Sequence, residues 1–119
     1  MQKPKVLICD DEEGVRESLK LILERDYESI TANDAQEVLA KLKQQHDIKV
    51  VLMDIKMPKT NGLEALKQIK VQYPGVAVIM ITGYQTTEAA TEAIKLGAMD
   101  YILKPIDSGS VLASIRRAL

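Results

Sequence analysis

Five short apolar runs, rich in β-branched residues, alternate with amphipathic segments along this chain. The runs are KVLIC at 5–9, ESIT at 28–31, IKVVLM at 48–53, VAVIMI at 76–81 and DYIL at 100–103. Strand–helix alternation of this kind predicts an α/β fold, a parallel sheet with helices on both faces. The run VAVIMI lacks polar alternation, which is typical of a central strand covered on both sides. The shorter and more polar ESIT suits an edge strand.

Apolar residues recur at helical spacing in the segments between these runs. We expect the second helix to begin after an Asn33 cap, with Gln36 at its third position, and the third helix to begin at Asn61. Further helices are expected at about 85–96 and 108–118. Each predicted strand therefore has a helix after it.

Composition excludes several classes of protein. The chain has 119 residues, enough for one compact domain, and 46% of them are hydrophobic. Its formal net charge of −1 offers no basic surface for nucleic acid. No apolar run approaches the ~20 residues that span a bilayer, and the start lacks a signal-peptide layout. The single cysteine, Cys9, reads as a small buried hydrophobe, so we expect a cytoplasmic domain without a disulfide.

The residues directly after the predicted strands carry the chemistry. An open parallel sheet binds its ligand beyond the carboxyl ends of its strands, where the strand order reverses. The polar residues at those ends are Asp10 and Asp11 after the first strand, Asp54 after the third, Thr82 after the fourth and Lys104 after the fifth. The sequence therefore predicts three carboxylates, a hydroxyl and an ammonium at one edge of the sheet.

Such a cluster suits a divalent cation and a phosphoryl group. Neighbouring carboxylates repel one another unless a cation joins them, and an all-oxygen site favours Mg²⁺. Lys104 and Thr82 can donate to phosphoryl oxygens. An aspartate can accept a phosphoryl group as a nucleophile, and Asp54, on the predicted central strand, is the best candidate.

Each of these residues also has a simpler interpretation. Asp10 and Asp11 could cap the first helix, where negative charge is favourable. Thr82 could be only the end of a strand before a turn, and Lys104 a solvated loop residue. Asp54 has the weakest such alternative, because an acid at the end of a buried strand costs desolvation energy.

Four stretches together resemble the receiver domains of bacterial response regulators. They are LICDDEEGVR, VVLMDIKMPKTNGLE, VIMITGY and GAMDYILKPID, in that order, each containing the end of a predicted strand. The resemblance covers essentially the whole chain and implies one receiver domain over residues 1–119. It also implies a doubly wound, flavodoxin-like fold of five parallel strands in the order 2-1-3-4-5, with five helices. The stretch ITGYQTTEAATEAIKLGAMDYILKPID is similar to receivers of nitrogen-regulation-type transcriptional activators.

The resemblance assigns roles to the acidic residues. Asp54 would be the phosphoacceptor, receiving its phosphoryl group from a sensor histidine kinase or a phosphotransfer protein. Asp11, Asp54 and the backbone carbonyl of Lys56 would bind Mg²⁺ directly, and Asp10 would bind it largely through water.

The resemblance also assigns a switch. Thr82 and Lys104 would contact the phosphoryl oxygens, and Tyr101 would be the aromatic residue whose ring moves inward when Thr82 is drawn to the phosphate. The bond before Pro105 matches a position that is usually cis. Ile106 departs from the family, where an aromatic residue often follows the Lys-Pro pair.

The expected output is a face formed by the fourth helix, fifth strand and fifth helix. This face would contact an output domain, a partner protein or a second copy of the chain, in transcriptional control. The domain would catalyse only its own phosphorylation and dephosphorylation. Whether more chain follows in a longer regulator stays open.

Three alternatives compete with this interpretation. A haloacid-dehalogenase-type phosphohydrolase would need Asp-x-Asp, whereas Asp10 and Asp11 are adjacent, and a cap for which the chain has no residues. A flavodoxin-like flavin carrier would need a hydroxyl- and glycine-rich loop where this chain has CDDEEG. A degenerate receiver that only binds partners would lack part of the acidic and basic set.

Overall fold

The computed structural model describes residues 3–55, 61–83 and 87–119. Its sheet has five parallel strands in the order β2-β1-β3-β4-β5, as predicted. The strands are β1 (Lys5–Cys9), β2 (Glu28–Ala32), β3 (Ile48–Met53), β4 (Ala77–Thr82) and β5 (Asp100–Leu103). Their bounds match the predicted runs to within one residue, and the polar run ESIT lies in an edge strand.

Five helices alternate with the strands and cover both faces of the sheet. They are α1 (Glu13–Leu23), α2 (Ala35–Gln44), α3 (Gly62–Gln72), α4 (Thr87–Lys95) and α5 (Ser108–Ala118). Helices α1 and α5 pack on one face, and α2, α3 and α4 pack on the other. None of the helices within the described ranges is long and apolar enough to cross a membrane.

The central strands contribute to two separate apolar cores. In β1, Val6 and Ile8 join the cluster under α1 and α5, whereas Leu7 and Cys9 join the cluster under the other three helices. Successive side chains of a strand point to opposite faces, so a strand covered on both sides has no polar position. Cys9 is buried, as its position in the sequence predicts.

The start of α2 differs from the prediction by one residue. Asp34, and not Asn33, is the N-cap, and its carboxylate accepts a hydrogen bond from the Glu37 amide at 2.8 Å. The Glu37 carboxylate in turn accepts from the Asn33 amide at 2.8 Å. This reciprocal pair satisfies two backbone donors, which Asn33 with Gln36 does not. The predicted Asn61 cap of α3 is confirmed, since its side chain accepts from the Leu63 amide.

The carboxyl end of α4 is held by a glycine and a lysine from α3. Gly97 has a φ of +105°, and the amides of Gly97 and Ala98 donate to the carbonyls of Ile94 and Ala93. This is a Schellman motif, whose left-handed residue favours glycine. The stem of Lys70 lies against Gly97, close enough that an added Cβ would be 3.1 Å from its Cγ. The carboxyl end of α4 therefore packs closely against the Lys70 side chain of α3.

Candidate functional site

The carboxyl ends of β1 and β3 place two carboxylates side by side. The ladder pairs Cys9 with Met53, and the Asp54 amide donates to the Cys9 carbonyl at 3.2 Å. Asp10 and Asp54 follow these two residues, and they are only 2% and 6% exposed. The pairing of β1 with β3 thus brings together Asp10 and Asp54, whose burial costs desolvation energy.

Lys104 reaches this pair from the end of β5. Its Nζ lies 3.0 Å from Asp10 Oδ2, 3.0 Å from Asp54 Oδ2 and 3.2 Å from Glu12 Oε1. Its amide donates to the Thr82 carbonyl at 2.9 Å, which fixes the backbone after β5 to the end of β4. The Lys104–Pro105 peptide bond is cis. Lys104 is therefore not a solvated loop residue, the simpler interpretation considered above.

Burial and ion pairing act in opposite directions on the ionisable groups here. Burial raises the pKa of Asp10, although hydrogen bonds from the Glu12 amide and Lys104 partly oppose it. Burial lowers the pKa of Lys104, but its hydrogen bonds with Asp10 and Asp54 outweigh this and hold the pKa above its ordinary value. The site thus keeps its ammonium charged beside carboxylates that are partly removed from water.

Four carboxylates at this edge could hold a metal ion. One oxygen from each of Asp10, Asp11, Glu12 and Asp54 lies within 4.8 Å of the others. Oxygen donors alone fit a hard cation, and Mg²⁺ accepts one or two protein carboxylates together with water and phosphate. The donor set therefore fits the predicted Mg²⁺. Sequence reasoning did not include Glu12, because its reach towards Lys104 depends on the path of the loop between β1 and α1.

The loop between β1 and α1 is fixed by hydrogen bonds to Asp10. Its Oδ1 accepts from the Glu12 amide at 2.9 Å, and its carbonyl accepts from the Arg16 guanidinium at 2.6 Å. Glu12 is the residue that precedes the first turn of α1, and it makes no side-chain cap. The alternative in which Asp10 or Asp11 is the N-cap is therefore wrong.

Gly62 allows α3 to approach the backbone of Asp54 closely. A Cβ at this position would collide with the Asp54 carbonyl oxygen and lie 2.7 Å from Ile55 Cα. The Gly62 amide donates to the Ile55 carbonyl at 2.6 Å. Only a glycine leaves room for this approach, so Gly62 helps to position Asp54. This role was not predicted, because the sequence shows only a glycine after the Asn61 cap.

The two predicted switch residues lie on neighbouring strands. Thr82 is the last residue of β4 and is 1% exposed, while Tyr101, in β5, is half-buried and packs against the core under α2, α3 and α4. Their proposed movement stays a prediction. Lys56, predicted to bind Mg²⁺ through its carbonyl, lies outside the described residues.

Both the sequence and the fold of this chain are similar to those of known proteins. Residues 6–116 match the response regulator receiver domain family. The DNA-binding transcriptional regulator NtrC from Proteus hauseri is 39% identical over 120 residues, which is 100% of this chain and 25% of that protein. A CheY-like receiver domain protein from Methanospirillum hungatei JF-1 has a TM-score of 0.90 at 36% identity, over 98% of this chain and 93% of that one. The beryllofluoride-activated NtrC4 receiver domain dimer has a TM-score of 0.91 at 35% identity, over 97% and 95%.

The chain belongs to the response regulator receiver family. This receiver domain spans between 25% and 54% of the length of the curated relatives it matches. Receiver domains are phosphorylation-dependent signalling switches, and several of these relatives are transcriptional regulators. The resemblance to receiver domains that the four sequence stretches show is thus confirmed. The predicted fold is confirmed as well. Members of the family bind Mg²⁺ at their acidic phosphorylation site, and the receiver domain described here has such an acidic cluster.

Proposed function

We propose that residues 1–119 form one receiver domain in which Asp54 accepts a phosphoryl group. The observation that supports this most strongly is the ion pairing of Lys104 with both Asp54 and Asp10 at the carboxyl edge of the sheet. Asp54 follows a central strand and is buried, so its carboxylate has a fixed position. A fixed nucleophile beside a charged donor is the arrangement that phosphoryl transfer requires.

In the transfer, an Asp54 carboxylate oxygen attacks the phosphorus of a phosphohistidine or a small acyl phosphate. The P–N or P–O bond of the donor breaks, an acyl phosphate forms on Asp54, and the leaving group takes the electron pair. Lys104 then pairs with an oxygen of the phosphoryl group, and Thr82 donates to another. Bound Mg²⁺, held by Asp11 and Asp54 with the Lys56 carbonyl and by Asp10 through water, would supply positive charge to the transferring oxygens.

The phosphoryl group carries about −1.5 to −2 charge and replaces the single negative charge of the Asp54 carboxylate, and its oxygens give Thr82 and Lys104 new partners. Their movement, followed by the Tyr101 ring, changes the face formed by α4, β5 and α5. Ala89 and Ala93 on α4 are small and buried, so this helix can shift with little loss of packing. The altered face contacts an output domain, a partner protein or a second receiver domain. The dimer of the activated NtrC4 receiver domain supports the last of these.

The domain acts in the cytoplasm as a substrate of a sensor histidine kinase or phosphotransfer protein. It catalyses only its own phosphorylation and dephosphorylation. The output is transcriptional control through other parts of a longer regulator, as in the transcriptional regulators that the chain resembles.

Intact mass after incubation with MgCl₂ and acetyl phosphate tests the assignment. We expect one added phosphoryl group in the native chain and in Asp47→Asn, which loses a carboxylate at the opposite edge of the sheet. We expect none in Asp54→Asn or when EDTA replaces MgCl₂. Borohydride reduction converts an aspartyl phosphate to homoserine, so peptide mapping locates even a short-lived adduct. Labelling of Asp54→Asn to the native extent would contradict the proposal.

A further inference from the structure

Lys104 divides its hydrogen bonds between two buried carboxylates and one exposed carboxylate. The side chains of Asp10 and Asp54 are 3% and 7% exposed, whereas that of Glu12 is 63% exposed. An ammonium group has three donors, and these three contacts satisfy all of them. Glu12 is thus the one solvent-facing partner among the three carboxylates that contact this ammonium.

A divalent cation and Lys104 require the same oxygen atoms. Asp10 and Asp54 belong to the group of four carboxylates that could hold a metal ion, and each is also within 3.0 Å of Lys104 Nζ. A cation that binds these carboxylates repels the ammonium and takes acceptors from it. Lys104 must then give up part of its hydrogen bonding inside the site. A half-buried ammonium without acceptors is costly, so the remaining partner of Lys104 affects how easily the cation binds.

We propose that Glu12 is a positioning residue that retains Lys104 at the edge of the site when Mg²⁺ binds the buried carboxylates. This inference rests on the proposed Mg²⁺ site and deepens it. Glu12 reaches Lys104 because the Asp10 side chain holds the Glu12 amide, which fixes the backbone from which the Glu12 side chain extends. In this role the Glu12 carboxylate stays paired with Lys104 and leaves the cation to Asp10, Asp11 and Asp54, although it belongs to the same group of four carboxylates. Loss of this partner makes displacement of Lys104 less favourable and weakens Mg²⁺ binding.

Glu13 provides a matched control. It is the adjacent residue, it has the same charge, it is also exposed, and it lies in the first turn of α1. The contacts described for Lys104 include Glu12 but not Glu13. Glu12→Gln and Glu13→Gln therefore remove the same charge at nearly the same place, and only the first removes the contact with Lys104.

Calorimetric titration of the metal-free chain with MgCl₂, without a phosphoryl donor, tests the inference. We expect Glu12→Gln to weaken Mg²⁺ binding about 5-fold, the upper range for a partly exposed ion pair, and Glu13→Gln by less than about 2-fold. In a Lys104→Met background, no ammonium needs a partner. There we expect Glu12→Gln and Glu13→Gln to have the same small effect.

The double-mutant cycle separates the possible results. A 5-fold loss that persists in Lys104→Met would show that Glu12 acts on the cation directly and would overturn the inference. Equal effects of Glu12→Gln and Glu13→Gln in the native background would show that Glu12 acts only through its negative charge, and would also overturn the inference. A native chain that binds no Mg²⁺ would refute the proposed site itself. Native Mg²⁺ binding that Glu12→Gln leaves unchanged would refute only the role of Glu12.

Discussion

The two edges of the sheet contain ion pairs of nearly equal length in very different surroundings. Lys104 and Asp10 are 3.0 Å apart at the carboxyl edge, and Lys5 and Asp47 are 2.9 Å apart at the amino edge. The Asp10 side chain is 3% exposed, and that of Asp47 is 55% exposed. Burial raises the pKa of Asp10, whereas the hydrogen bond from Lys5 lowers the pKa of Asp47. Distance alone therefore does not tell whether a paired carboxylate favours folding.

The buried polar groups are also distributed unequally between the carboxyl edge and the amino edge of the sheet. Among the described residues, those buried and polar or charged are Asp10, Asp54, Thr82 and Ser114. The first three lie at the carboxyl ends of strands, and Ser114, on α5, donates to Asp100 at 2.8 Å. A fold that only needed stability would place such groups in water. The carboxyl edge therefore accepts an electrostatic cost that the amino edge does not.

The largest expected difference between the edges comes from a pair of glycine substitutions. Gly62→Ala should lower the free energy of unfolding by about 3 kcal/mol, because the new Cβ meets backbone atoms of Asp54 and Ile55 that cannot rotate away. Gly75→Ala, in the turn before β4, meets nothing within 4 Å and should leave stability unchanged or slightly raised. Urea unfolding measures both. Equal stability of the two variants would show that α3 can move away from Asp54 at little cost.

A pair of lysine substitutions compares the ion pairs directly. Lys104→Met should lower the free energy of unfolding by about 2 kcal/mol in metal-free buffer, less than for a fully buried pair because Lys104 is 17% exposed. The loss arises because carboxylates that Lys104 neutralised now repel one another, so added MgCl₂ should reduce it. Lys5→Met should lower the urea midpoint only slightly, and equally with and without MgCl₂, since Asp47 stays solvated. A loss for Lys104→Met that MgCl₂ does not reduce would contradict this explanation.

The smallest expected effects have opposite signs in two aspartate variants. The raised pKa of Asp10 means that its ionised form opposes folding at neutral pH, and that this cost disappears as the pH falls through the raised value towards 3.8. Asp10→Asn should therefore be slightly more stable than the native chain at pH 7 in metal-free buffer, and equally stable in acid. The lowered pKa of Asp47 stabilises the fold above pH 3.8, and this contribution is lost as the pH falls below 3.8. Asp47→Asn should be slightly less stable at pH 7.

Urea midpoints measured from pH 7 to pH 3 give both signs in one series. The native chain at each pH is the control. Two variants that change stability in the same direction at pH 7 would contradict the contrast between the edges.

Much of the fold could be predicted, because the spacing of apolar residues and the residues at the turns largely determine where strands and helices lie. The predicted runs 48–53 and 100–103 coincide with β3 and β5. For β3 the reason is that a strand buried on both faces leaves a nearly continuous apolar run, whereas β5 is an edge strand of intermediate burial. The N-cap of α2 was misplaced by one residue because Asn33 and Asp34 are both good caps. Only the reciprocal bond with Glu37 favours Asp34, and that bond depends on the entry angle of the chain.

The candidate site could be predicted where a residue directly follows a strand, and less well elsewhere. Asp10, Asp54 and Lys104 meet because parallel strands end at one edge, a property of the topology. Glu12 and Gly62 were missed, because their contacts depend on the path of a loop and on how closely a helix approaches. Neither is expressed in a periodic pattern of residue types.

The Schellman motif at Gly97 has a geometric consequence for α4. This helix has nine residues, so its first residue lies about 12 Å from its last at 1.5 Å per residue. The hydrogen bonds of Gly97 and Ala98 close the carboxyl end of α4, while its first turn follows β4 and so lies towards the carboxyl edge of the sheet, where Asp54 and Thr82 are. A rotation of only about 5° around the fixed end would displace the near end by about 1 Å. If phosphorylation of Asp54 shifts α4 as proposed, its first turn would therefore move further than its carboxyl end.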